Sequence, residues 1–252
     1  MRQRVGLSFL ALIICWCLCG CSTAGDWLDR LGRGRTTNSI VGLTQEEIVS
    51  GLREALGKGV DYAVANLGRE GGFFQNLEVR IPMPESLQPV ERTLRALGQG
   101  QVVQEFHATI NHAAERAVPE AAAVLLNSIR QMQLADAERI LRGPDTAATE
   151  YFRRTSETNL YDRFLPIVKQ ATAATGVTAA YKRMTERAGP LVAEALLGRE
   201  AVDLDSYITH KALDGLFLKI AEQEKLIRQN PAARTSELLR KVFGAILRGG
   251  GA

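Results

Sequence analysis

The chain has 252 residues, 46% of them hydrophobic, with 31 Lys and Arg against 28 Asp and Glu. That near-balance argues against a nucleic-acid binder, which carries a concentrated basic excess. All four cysteines (Cys15, Cys17, Cys19 and Cys21) lie in the first 21 residues, so the rest is expected to hold no disulfide, thiol nucleophile or cysteine metal site. The roughly 230 residues that remain can bury about 70% of their unfolded surface without a staple.

Arg2 and Arg4 precede an apolar run from Val5 to Leu18, too short to span a bilayer comfortably, which closes on Leu18-Cys19-Gly20-Cys21. This segment resembles the lipobox of bacterial lipoproteins, with Leu three places before the cysteine and a small residue directly before it. Cys19 stands where Ala, Ser or Thr is more usual. The resemblance implies that residues 1–20 are a signal peptide and that Cys21 carries the lipid. Ser22, in place of the Asp that retains many such proteins at the inner membrane, implies the periplasmic face of the outer membrane. A plain secretory signal whose tail holds cysteines is the alternative. Cleavage would leave 29 Lys and Arg against 28 acids.

Residues 21–43 then read as the lipidated cysteine and a flexible tether, rich in Gly, Ser, Thr, Asn and Arg, with a reach of roughly 25 Å. Trp27 and Leu28 interrupt its polarity. Arg30, Arg33 and Arg35 form a small basic cluster, which reads as a solvated linker or as a contact with anionic head groups.

From Thr44 the pattern is helical almost throughout, and residues 44–248 read as a single all-helical domain. Thr44 and Glu47 make a capping box, and Ile48, Leu52, Leu56, Val60, Ala63 and Leu67 fall on one stripe. Gly51, Gly57 and Gly59 within that helix predict close approach by a neighbour. Leu87 to Leu97 and Val102 to Ala117 mark the next helices, and Pro119 opens another that runs to Met132. A short helix covers Ala135 to Leu141. After Gly143-Pro144, Asp145 is placed to cap a helix with Tyr151 and Phe152. Leu160 to Ala171 give a further stripe ended by Gly176, and Val177, Tyr181 and Met184 continue to the break at Gly189-Pro190. Asp203 or Asp205 begins a long helix that Asn230-Pro231 stops, and Leu238 to Ile246 form the last.

The exception is Asn76 to Pro84. Leu77, Val79, Ile81 and Met83 alternate with polar residues and prolines, the period of an extended segment with one apolar face. Pro82 and Pro84 block a regular ladder. The segment reads as a strap across helices, with a recognition strip as its functional alternative.

Few residues promise chemistry. His107 and His112 point about 140° apart on a helix and cannot share a metal. His112 shares a face with Glu115, but no third ligand lies near in sequence, so neither a metal nor a cofactor is expected. Asp203 and Asp205 start like a calcium loop without its Gly or closing Glu, and capping explains them. Glu222, Glu224, Lys225 and Arg228 read as a solvated face, and His210 as a surface residue. Lys211 and Asp214, three apart on an otherwise apolar helix, form a candidate polar site with Arg234; an exposed ion pair is the plainer reading. No catalytic motif with a G-x-S-x-G, Walker or H-E-x-x-H pattern occurs.

Tyr207 to Phe217, Asn230-Pro231-Ala232-Ala233-Arg234-Thr235 and Leu238 to Gly244, together with Ile81-Pro82-Met83-Pro84, Pro119-Glu120-Ala121 and Asp145 to Arg153, resemble the shared stretches of a bacterial family of exported helical proteins of unknown function. The likeness runs from about Gly51 to Gly244. It implies an all-helical fold and brings no activity or catalytic residues. Three readings stand: a non-catalytic lipoprotein that binds an envelope partner, a carrier or sensor of an apolar ligand in a helix-bundle cavity, and an envelope hydrolase using Asp205 or Asp214 with Lys211. The expected partners are the membrane, through the acyl anchor at Cys21, and an envelope protein or apolar ligand, with no nucleic acid.

Overall fold

The computed structural model describes residues 43–188 and 203–249. The segments read as signal and tether, with Cys21 and the arginine cluster, and the Gly189-Pro190 break lie outside them. Among the described residues the fold is all-α, as the periodicity predicts. Its helices are α1 (Gln45–Leu67), α2 (Gln88–Ala96), α3 (Gly100–Ala117), α4 (Ala121–Gln131), α5 (Leu134–Arg142), α6 (Ala147–Thr175), α7 (Val177–Ala188), α8 (Leu204–Gln229) and α9 (Glu237–Gly249). Three 3-10 turns join them at Glu85–Leu87, Val118–Glu120 and Pro231–Ala233. None of the described helices is long and apolar enough to cross a membrane.

The long helices α6 and α8 pack along each other, with α3 against both. Helix α1 lies on α8, and α4, α5 and α9 gather around α1. Phe73, Phe106, Phe152, Phe164 and Phe217 are fully buried and carry much of the apolar burial that holds a chain without disulfides. The Thr44 capping box forms as expected: Thr44 Oγ1 accepts from the Glu47 amide at 3.1 Å, and Glu47 Oε2 accepts from the Thr44 amide at 2.9 Å.

Of the three glycines in α1, close approach holds at Gly51. A Cβ there would sit 2.7 Å from Val242 Cγ2 of α9, whereas one at Gly57 would meet nothing within 4 Å. Gly51→Ala is therefore expected to destabilise by about 1–3 kcal/mol through overpacking. Chemical denaturation should show the same substitution costing less in a Val242→Ala background, which lacks the clashing methyl, than in the native chain.

The two stripes before Gly176 merge into the single helix α6, which runs through Pro166. That proline lies on the exposed face, where water can satisfy the carbonyl it frees. The expected Asp145 cap is not made: the N-cap of α6 is Thr146, whose side chain donates to Glu150 and caps no backbone amide, and Asp145 accepts instead from Gln229. The donors at the start of α6 are met by a residue of α8.

That residue is Glu224, which corrects the reading of a solvated face. Glu224 Oε1 accepts from the Ala148 amide at 2.8 Å, and Oε2 accepts from the amide and hydroxyl of Thr149 at 2.9 and 3.0 Å. Arg228, one turn on, donates to Glu224 and to the Ile140 carbonyl at 2.7 Å, at the end of α5. The buried anion thus sits at a helix N-terminus and the cation at a helix C-terminus, where the two macrodipoles favour them.

The strap forms, with one change. Val79, Ile81 and Met83 are buried, but Leu77 is 84% exposed, because residues 76–79 turn: the Asn76 carbonyl accepts from the amides of Val79 and Arg80. Only from Arg80 is the chain extended. In place of a second strand, the side-chain amide of Asn111 on α3 accepts from the Ile81 amide at 2.8 Å and donates to the Ile81 carbonyl at 3.1 Å. Tyr207 of α8 donates to the Pro82 carbonyl. Pro82 has no donor of its own for a further strand.

Candidate functional site

Most buried polar side chains have evident structural work. Glu115 Oε1 accepts from the amides of Phe73 and Phe74, and its Oε2 meets His112 Nδ1 at 2.7 Å. The carboxylate therefore holds the turn before the strap. Among the described residues no group of three His, Cys, Asp or Glu could hold a metal ion. Lys219 donates to Glu222 and Glu78, tying α8 to the Asn76 turn at the start of the strap. Burial alone would lower its ammonium pKa, but the bonds from the two carboxylates outweigh that and hold it above the usual range.

His107, on the other side of α3, is a pH-sensitive point of the fold. Its Nε2 lies 3.7 Å from Glu91, and its buried Nδ1 has no partner. Burial pushes the imidazole below its ordinary range; Glu91 pulls it up, and Arg80 and Arg95 push it down further. The unfolded chain then binds the proton more readily than the fold, so stability is expected to fall as pH drops below about 6.5 towards the folded value. Urea midpoints of His107→Gln between pH 7 and 5 should decline less steeply than those of the native chain.

Lys211 and Asp214 lie on the outer ridge of α8, their charged atoms 3.7 Å apart and both side chains roughly half exposed. Arg234 is not with them. It is buried beyond the far end of α8, donating to the carbonyls of Ile227 and Arg228 at 3.0 and 2.7 Å, with its guanidinium over the Phe243 ring. There it closes the helix, as a cation suits a C-terminus. Asp205 accepts from Thr172, so it serves the contact between α6 and α8.

Two grooves flank the ridge. The first, of about 320 Å³, runs between α6 and α8 and is lined by Arg153, Glu157, Thr158, Tyr161, His210 and Leu213. The second, of about 210 Å³, lies between α8 and the strap, with Glu78, Arg80, Pro82, Lys211, Asp214 and Leu218 on its walls. Arg153 joins the first groove to the ridge. Its guanidinium lies over the Phe217 ring, with Nη1 3.2 Å from Glu157 and Nη2 3.7 Å from Asp214. The rings of Tyr161 and His210 stack at 4.7 Å, inclined by 32°. The strap can pass close to α8 because residue 215 is glycine: a Cβ there would meet Phe73 at 2.8 Å and Val79 at 3.3 Å.

Sequence reasoning reached Lys211 and Asp214 but missed Glu157, Tyr161 and Glu78. Some fifty and more than a hundred residues of chain separate these from α8, and no local pattern marks them. His210, read as a surface residue, is exposed and gains its setting from Tyr161.

No curated protein and no solved structure matches the chain. The family model described as "Protein of unknown function (DUF4197)" matches residues 42–244, the whole helical domain up to Gly244 in α9, and the chain belongs to that family.

Proposed function

We propose that this chain is a lipid-anchored binding protein of the bacterial envelope, held through Cys21 at the periplasmic face of the outer membrane, which receives a partner on the face made by α6, α8 and the strap. The observation that carries the binding part is where unassigned polarity remains. Glu115, Asn111, Glu224, Arg228 and Arg234 all serve helix ends and the strap. Lys211, Asp214 and Arg153 instead meet across 3.7 Å contacts at the surface, too long for hydrogen bonds and open to a ligand. The anchor rests on Leu18, Gly20 and Cys21 and on the tether behind them.

The carrier reading has less support. The apolar cavity between α1, α8 and α9, bordered by Leu52, Ile220, Ile227 and Phe243, has a volume of about 20 Å³, room for a water molecule and not for a lipid. The hydrolase reading would need Asp205 or Asp214 to work with Lys211. Asp205 is bonded to Thr172, and Asp214 is shared between Lys211 and Arg153.

Two measurements test the proposal. A fatty-acid label supplied to growing cells should enter the native protein and be absent from Cys21→Ala; an unlabelled native protein would refute the anchor. A photo-reactive residue placed at Lys211 should give a discrete adduct in whole cells, while one at the exposed Lys225 should not. Equal adducts at both positions would remove the binding face.

A further inference from the structure

We infer that the groove between α6 and α8 is a binding site for an uncharged saccharide, which names the ligand class of the face described above and rests on that reading. A pyranose offers two surfaces: apolar C–H faces, which pack on aromatic rings, and neighbouring hydroxyls, which pair with planar groups bearing two donors or two acceptors. The groove supplies both. The rings of Tyr161 and His210, tilted against each other, line it, beside the guanidinium of Arg153, the carboxylate of Glu157 and the hydroxyl of Thr158.

The planar groups are held ready. Arg153 lies over Phe217, 4.5 Å from its centroid, which restricts the movement of the guanidinium. Its Nη1 bonds Glu157, while Nη2 approaches Asp214 at 3.7 Å only and keeps hydrogen-bonding capacity for a hydroxyl. Tyr161 is fixed by its hydroxyl, 2.9 Å from Ser206 Oγ, so the ring platform loses little freedom on binding. The Arg and Glu on the groove's own walls, Arg153 and Glu157, pair with each other, and Arg153 also faces Asp214 beyond the groove, so the walls present no excess of Arg or Lys over Asp or Glu. The volume of about 320 Å³ lies at the lower end of the range for small-molecule sites.

Titration calorimetry tests this on the chain extracted from its own envelope in a detergent without a sugar head group, with cellotriose and triacetylchitotriose as probes. At least one should bind saturably. Tyr161→Ala should weaken that binding roughly tenfold, the loss of one stacked ring, while Tyr161→Phe, which keeps the ring, should stay within about threefold. Circular dichroism melting of each variant separates lost binding from lost fold. A folded native chain that binds neither saccharide, or binding that Tyr161→Ala leaves unchanged, overturns the assignment. If the cross-link at Lys211 persists in that case, only the saccharide is wrong; if it is absent as well, the binding face falls with it.

Discussion

Glu224→Ala is expected to destabilise the fold by about 3–5 kcal/mol, the range for breaking a buried ion pair from one side. Glu224 is one side chain with three tasks. It satisfies two amides and a hydroxyl at the start of α6, and it neutralises Arg228, which in turn closes α5. Removing it leaves a guanidinium in a largely buried position with its charge uncompensated and the first donors of a 29-residue helix unmet. Glu224→Gln should cost less, because an amide oxygen can still accept from Ala148 or Thr149. Urea denaturation followed by circular dichroism provides the measurement, and a cost for Glu224→Ala below about 1 kcal/mol would show that the pair contributes no more than a surface bridge.

Phe73→Ala should cost a similar amount, about 3–5 kcal/mol, as the truncation of a fully buried ring. The ring sits against Gly215 of α8, at the point where the turn held by Glu115 meets the strap. A coupling to Gly215 accompanies this loss. In the native background Gly215→Ala drives a methyl into Phe73 and should destabilise by about 1–3 kcal/mol. In the Phe73→Ala background the closest clash is gone and only the 3.3 Å contact with Val79 Cβ remains, so the same substitution should cost much less. A double-mutant cycle in which Gly215→Ala is equally harmful in both backgrounds would refute this packing. Hydrogen exchange across residues 76–84 should also quicken in Phe73→Ala, because the turn that positions the strap has lost its buried anchor.

The local features of this chain were legible from the sequence wherever nearest neighbours in sequence decide structure. The Thr44 capping box, the stripe of α1 and the stop at Asn230-Pro231 follow from backbone donors, a period of 3.6 and the missing N–H of proline. The strap was legible from its alternation, except at Leu77, where the Asn76 turn takes over. Glu224 was misread, since on a helix with Glu222, Lys225 and Arg228 a charged residue looks solvated until a second helix end arrives beside it. Asp145 was misread for the complementary reason: a cap supplied from another helix leaves no mark next to the end it serves.

The sequence by itself determined the helical class, most helix boundaries and the family. Only the tertiary structure decided which polar residues are tools of the fold and which stay at the surface. It moved Arg234 out of the site with Lys211 and Asp214, and it brought Arg153, Glu157 and Tyr161 of α6 to His210 of α8. The physical reason is that a helical period constrains contacts only over one or two turns, whereas desolvation acts on whatever the packing of distant helices places together. A charged side chain therefore acquires its role only from where that packing leaves it.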